Sequence, residues 1–504
     1  MNRWRIVGLI VLALLAGSLL VWWLKPAPPP VAPTPPPARE VFHSSKPLRI
    51  EVASTQPSAE TAWLDYELRH LLIGGRMRVA PIDETGGFAL RVTLNADANG
   101  ATLALVAPDG VVEREEQLAL PTESRLATIS ALAKRLPQFL NAQPAGSPDW
   151  VALIGTDDAK AYDAYLADAL ELLGPNGQGL TRPGMPQSAR TVDRLESLAR
   201  HQPNFARARA ALAIGYLSLG GQDEASLSKL AKTTAERALA ADDGIAEAHA
   251  ALGLVHMRSG DWTAAREQFD RALALDANSA AALEGSGCLL VDAGRYTAAQ
   301  PLIEHAVRLQ PRNVGALECL AYLNAAAAVT KVKLIPDPKI ENAPGAVARV
   351  EALASILSGD VDTARRALRE SSSDEEFREW AEPLLQAATD RKRVPDALQS
   401  ITRAASDGRI DASTEILCGA ALRRAEFVFN RMARLQRDHQ PVPLRMLWMP
   451  QTAFLRRHAR FEQIVGAAGL PAFWQEYGTP DSCAADPQTY GCKTRTTGAP
   501  AHKP

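Results

Sequence analysis

The chain has 504 residues, with 55 Lys and Arg against 57 Asp and Glu, a net charge of −2 and 46% hydrophobic residues. A balance this close to zero argues against nucleic-acid binding by charge attraction. The length exceeds what one core organises, so two or three folded units are expected.

Residues 1–5 read as a cytoplasmic N-terminus, and 6–24 (IVGLIVLALLAGSLLVWWL) form a run of 19 uncharged, mostly apolar residues. At about 1.5 Å per residue this run covers a hydrocarbon core of roughly 30 Å. Arg3 and Arg5 precede it, and Trp22 and Trp23 stand where an interfacial aromatic belt belongs. The run is longer than the apolar stretch of a cleaved leader and no Ala-x-Ala site follows it, so an uncleaved transmembrane signal anchor is expected. Residues 25–46 read as a linker, because 26–37 (PAPPPVAPTPPP) hold eight prolines and extend as a semi-rigid polyproline stalk.

Residues 47–145 read as a small α+β domain. Leu48–Ala53 has strand character, and 59–73 carry a helical apolar face closed by Gly74 and Gly75. A second strand is expected over 77–81. Three more runs at 88–94, 101–106 and 112–120 are separated by Ala-Asn-Gly and Pro-Asp-Gly, both hairpin signals. A helix over 123–140 closes the unit. The strand–helix start at LRIEVA and WLDYELRHLL, the strand MRVAPI and the helix ending AKRLPQFL resemble the TolB N-terminal-like domain. The segment Ala161-Tyr162-Asp163-Ala164-Tyr165-Leu166 is similar to the helix that joins that domain to the next. Residues 454–478 (FLRRHARFEQIVGAAGLPAFWQEYG) are similar to the family's closing segment. The resemblance implies a bacterial membrane-bound protein in which this domain precedes tetratricopeptide repeats. The cytoplasmic DNA-binding or cyclase domain of such regulators has no counterpart in Met1–Arg5, so signalling across the membrane is expected to need a partner.

Residues 150–330 read as a helical solenoid. Segments 246–279 and 280–313 repeat each other at a spacing of 34: Gly253 recurs as Gly287, Gly260 as Gly294, Ala265 as Ala299, Phe269 as Ile303 and Ala272 as Ala306. Small residues where two antiparallel helices touch, with a breaker closing each unit, resemble the tetratricopeptide pattern. The repeats break near 331–338 and resume where Ser358-Gly359-Asp360 copies Ser259-Gly260-Asp261. Residues 331–475 therefore read as a degenerate helical continuation, and 476–504 as a loose tail. The fold class is mainly α: a tetratricopeptide-type solenoid preceded by a small α+β domain and a single transmembrane helix.

Catalytic spacing is absent: there is no His-Glu-x-x-His, Gly-x-Ser-x-Gly or phosphate loop. Gly174–Gly179 is glycine-rich but reads as a loop, and His249 and His256 read as packing residues rather than metal ligands. No enzyme, no cofactor and no metal is expected. Stacked helix pairs leave a concave groove that can grip a peptide. Its lining is expected from Glu247, His249, Ala250, Leu254 and Arg258, then Glu284, Leu290 and Asp292, then Glu318 and Asn324. Cys288, Cys319 and Cys418 read as core residues, while Cys483 and Cys492 could close a disulfide loop in an oxidising periplasm. Together these readings describe an inner-membrane-anchored periplasmic scaffold that binds another envelope protein and could serve a regulatory or sensing system. The alternatives are a structural part of a secretion or pilus apparatus, or an envelope enzyme with a site at the domain junction.

Overall fold

The computed structural model describes residues 42–492 apart from 44–45, 55–60, 82–83, 85, 96–98, 143–148, 175–185, 220–223, 331–344 and 439. The apolar run 6–24, the proline tract and residues 493–504 lie outside this set. By contacts the chain divides into 1–41 and 42–504, and every described residue belongs to the second unit. Among the described residues no helix is long and apolar enough to cross a membrane.

The first elements are β1 (Leu48–Ser54), α1 (Ala62–Gly74), β2 (Phe88–Leu94), β3 (Gly100–Val106), β4 (Val112–Ala119) and α2 (Arg125–Phe139). The sheet runs in the order β1-β2-β3-β4, with β1 parallel to β2 and the remaining pairs antiparallel. Alternation decides its faces. Leu48, Phe88, Leu90, Val92, Leu103 and Leu105 pack toward Leu64, Leu68 and Leu71 of α1 and Ile129, Leu132 and Leu136 of α2. On the opposite face Glu51 pairs with Arg49 and Arg91 at 2.6 and 2.9 Å.

The strand expected at 77–81 shrinks to one bridge, Leu48 to Val79. The cause is a competing donor. The Ala80 carbonyl, which a continuing strand would offer to β1, accepts from Asn278 Nδ2 at 2.9 Å instead.

After α3 (Ala159–Leu173) the helices are α4 (Pro186–His201), α5 (Ala206–Ser218), α6 (Glu224–Ala241), α7 (Ala246–Arg258), α8 (Trp262–Leu275), α9 (Ala280–Asp292), α10 (Tyr296–Leu309) and α11 (Val314–Thr330). Beyond the break come α12 (Gly345–Ser358), α13 (Val361–Ser371), α14 (Glu382–Thr389), α15 (Val394–Ser406), α16 (Ala412–Ala421) and α17 (Ala425–Arg437). Phe269 of α8 is fully buried between two glycines: a Cβ on Gly253 would stand 2.5 Å from its ring, and one on Gly285 of the next repeat 2.4 Å. Two of the hairpin turns repeat the same chemistry. Gly260 and Gly359 take positive φ of 77° and 89°, and Asp261 and Asp360 cap the following helices by accepting from Ala264 N and Thr363 N.

Helix pairs end at α17. From 440 the chain turns into short pieces, Ala453–Arg456, Phe461–Ala467 and Leu470–Tyr477, and runs back along the solenoid. Trp474 Nε1 donates to Ala293 O at 3.0 Å, and Trp262 Nε1 donates to Ala468 O. Residues 481–492, expected to be loose, are folded: Asp481 accepts from Thr297 N at 2.6 Å and so caps α10 from the far end of the chain. Cys483 and Cys492 are joined there, with Cα atoms 5.4 Å apart. Cys288 and Cys319, expected as separate core residues, are also joined. They lie 31 residues apart, close to the repeat length, so neighbouring helices α9 and α11 present them to each other. Cys418 is a buried free thiol.

Candidate interaction groove

The residues expected to line an open groove lie on α7, α9 and α11, each the first helix of its pair. The structure places three of them beneath the chain's own flanking segments, Glu247 under Tyr66 and Asp292 and Glu318 under Arg445.

At the N-terminal end the cover is α1, with α3 beside it. Glu67 of α1 and Arg207 of α5 form a two-pronged ion pair at 2.6 and 2.9 Å, and both are essentially inaccessible, 0% and 4% exposed. Burial alone would raise the Glu67 carboxyl, but Arg207 outweighs it and holds Glu67 below the usual carboxylate range. The Arg207 guanidinium also stacks 4.9 Å from the Tyr165 ring centroid. Tyr66 of α1 shares a hydrogen bond with the Tyr165 hydroxyl at 3.0 Å and donates to Glu247 Oε1 at 3.4 Å. Burial, followed by the nearby Asp276 carboxylate, raises the Glu247 carboxyl. Glu247 is therefore a contact of the α+β domain. His70 of α1 lies against the Leu153 carbonyl at 3.0 Å, and burial with Arg207 lowers its ring to about 3.

In the middle, Ala250 and Leu254 are buried, and Glu284 is fully buried and accepts from Asn313 Nδ2 at 2.9 Å. Asn313 bonds Gln310, whose amide donates to the Gly174 carbonyl at the end of α3. Arg258 donates to Leu217 O at 2.6 Å and stands 3.6 Å from Glu224. His249 bonds Gln268 at 2.8 Å, and His256 lies 3.5 Å from Asp261. Among the described residues no group of three potential ligands could hold a metal ion.

At the C-terminal end the cover is the returning segment. Arg445 places Nε and Nη2 on the two oxygens of Asp292, both at 3.0 Å, and its backbone N donates to the same carboxylate at 3.1 Å. Its Nη1 lies 3.9 Å from Glu318 and donates to Cys319 Sγ at 3.2 Å. Trp448 Nε1 donates to Asp292 O at 2.7 Å, and Tyr296 donates to Arg445 O at 2.8 Å. Leu444, Met446, Leu447 and Trp448 are buried around this anchor, and Leu290 is buried as well. Asn324 is half-buried. Between α11, α12 and α16 lies a small cavity of about 10 Å³, room for about one water, lined by Glu318, Tyr322, Arg349, Asp411 and Thr414 among others.

The structure covers Glu247 with α1, and Asp292 and Glu318 with the returning segment, while His249 turns to Gln268 of the neighbouring helix and Arg258 to Leu217 and Glu224. What sequence reasoning missed are the occupants, Tyr66 and Glu67 at one end and Arg445 and Trp448 at the other, and the Arg207 of α5 that receives Glu67. Their one visible signal was charged and aromatic residues interrupting otherwise apolar helical stretches.

The tetratricopeptide repeat model matches residues 246–279, which correspond to α7 and α8. No curated protein matches the chain. Among solved structures, one described as a functional characterisation of Pseudomonas aeruginosa PilF is 20% identical with a TM-score of 0.24, covering 46% of this chain and 90% of that one. The tetratricopeptide domain of P58(IPK) is 13% identical with a TM-score of 0.18, covering 65% and 96%. Scores this low carry no argument about this chain. The matched segment, with the Gly253–Phe269–Gly285 packing around it, makes 246–279 a tetratricopeptide repeat within a mainly helical protein.

Proposed function

We propose that this protein is a membrane-anchored interaction scaffold of a bacterial envelope, with its folded part in the periplasm and another envelope protein as its partner. The tetratricopeptide repeat carries the scaffold reading, since such repeats present extended surfaces to other polypeptides. The 19-residue apolar run at 6–24 and the resemblance of 47–145 to the TolB N-terminal-like domain support the anchor and the compartment. Two joined cysteine pairs fit an oxidising location. Because the inner face is filled by α1, α3 and residues 444–452, the partner docks on outer surfaces of the helix pairs. Leu230 on α6, a large apolar side chain 47% exposed, marks one such surface.

The test is site-specific photo-crosslinking in cells, with the crosslinker at Leu230 or at Leu254, combined with membrane fractionation and protease treatment of spheroplasts. A membrane-bound, protease-accessible chain that captures a defined protein from Leu230 and only its own segments from Leu254 is the expected result. Recovery in the cytosol would overturn the location, and capture of the partner from Leu254 would overturn the outer-surface docking.

A further inference from the structure

The Cys288–Cys319 bridge lies directly under the anchor of the returning segment. Both cysteines are fully buried. Cys288 precedes Asp292 by one turn of α9, and Cys319 is adjacent to Glu318 on α11. Arg445 contacts three of these four at once: Asp292 at 3.0 Å, Glu318 at 3.9 Å and the Cys319 sulfur at 3.2 Å. The bridge therefore ties together the two helices whose carboxylates receive Arg445, and Arg445 itself lies against the Cys319 sulfur.

We infer that the segment 444–452 is a lid over the Cys288–Cys319 disulfide, and that lid docking and the oxidation state of this pair are linked. A dithiol reductant attacks one sulfur, the Sγ–Sγ bond breaks, two thiols form, and the reductant closes to its own cyclic disulfide. Attack on a buried sulfur needs the lid to open first. Once reduced, the two sulfurs separate to non-bonded contact and push α9 and α11 apart, so Arg445 loses the preset geometry of its acceptors. Linkage is reciprocal: whatever stabilises the docked lid protects the bridge, and the bridge favours the docked lid. Reduction then uncovers Asp292, Glu318 and the inner wall of the solenoid. The inference rests on the proposed oxidising location only for the bridge to form in the cell; in vitro it stands on the fold alone.

The experiment uses the purified full-length chain, oxidised with glutathione, then exposed to dithiothreitol without denaturant and alkylated at intervals for peptide mass spectrometry. Cys483–Cys492, whose cysteines are half-buried, serves as the internal reference. The expected result is that Cys483–Cys492 opens at least tenfold faster than Cys288–Cys319, and that Arg445→Met removes most of this difference. Hydrogen exchange on wild-type protein adds a reading that needs no variant: amides of 444–452 should exchange at least tenfold faster after reduction. Free thiols at 288 and 319 in the oxidised protein, equal reduction rates for both pairs, or unchanged exchange in 444–452 would each overturn the linkage. None of these outcomes depends on finding a partner or on where the chain resides, so failure here is distinguishable from failure of the proposed function.

Discussion

Glu67 and Arg207 are 140 residues apart and meet with almost no access to water. Such a pair gives little net stability over an apolar packing of equal volume, but removing one partner strands the other's charge. Arg207→Met is therefore expected to destabilise the protein by about 3–5 kcal/mol, whereas Glu67→Met combined with Arg207→Met recovers most of the loss; thermal melting of the two variants checks this. His70 makes a second prediction. Its ring titrates near 3 in the folded chain and near 6.5 when exposed, so folding keeps it neutral. As pH falls below about 6.5 the unfolded chain takes up a proton that the folded one refuses, and the His70 contribution is lost progressively toward pH 3. Melting temperatures from pH 8 to 4 should fall more steeply for wild type than for His70→Gln. Identical slopes would show that His70 is not held neutral.

At the scale of elements, the hairpin turns separate backbone strain from crowding. Gly359 has positive φ, and a Cβ placed on it would meet nothing within 4 Å, so Gly359→Ala is expected to cost about 1–2 kcal/mol from conformation alone. Gly253→Ala, at an ordinary helical φ, should cost more, because its methyl would collide with the buried Phe269 ring. Ranking the two by chemical unfolding tests which force sets the repeat. The α16–α17 turn shows the same strain without glycine: Arg423 adopts φ 58° and reaches Leu357 O and Gln451 O, so a structural tie to the returning segment offsets the backbone cost. These turns explain what was legible in the sequence. Gly253, Gly260, Phe269 and the Ser-Gly-Asp triplets act on neighbours within one repeat, and local spacing records such constraints. Arg445 on Asp292, Asp481 on α10 and Asn278 on Ala80 act across 153, 184 and 198 residues, and no periodicity announces them. The same reason hid the contacts that cover Glu247 and Asp292, which come from distant elements. The Cys288–Cys319 spacing of 31 lay near the repeat of 34 and was the one long-range clue that position alone offered.

For the molecule as a whole, the returning segment changes what kind of object the solenoid is. In an open stack each pair touches only its neighbours, and stability is a sum of local terms. Here Trp262 is tied to Ala468, Ala293 to Trp474 and Asp292 to Arg445, so successive pairs share one strap. A chain ending after Asp438 would leave Tyr296, Ala293 and the buried Asp292 facing water, and is expected to aggregate or to melt in several steps where the full chain melts in fewer. Differential scanning calorimetry of the two lengths distinguishes these outcomes; a truncated chain with an unchanged melting profile would show that the strap adds nothing. That strap also bears on mechanics. Traction applied to the ends of a free helical stack peels off one pair at a time at low force, like a zip. A strap lying lengthwise over several pairs carries the same traction in shear, with its contacts loaded together, so the body resists as one piece and then yields abruptly.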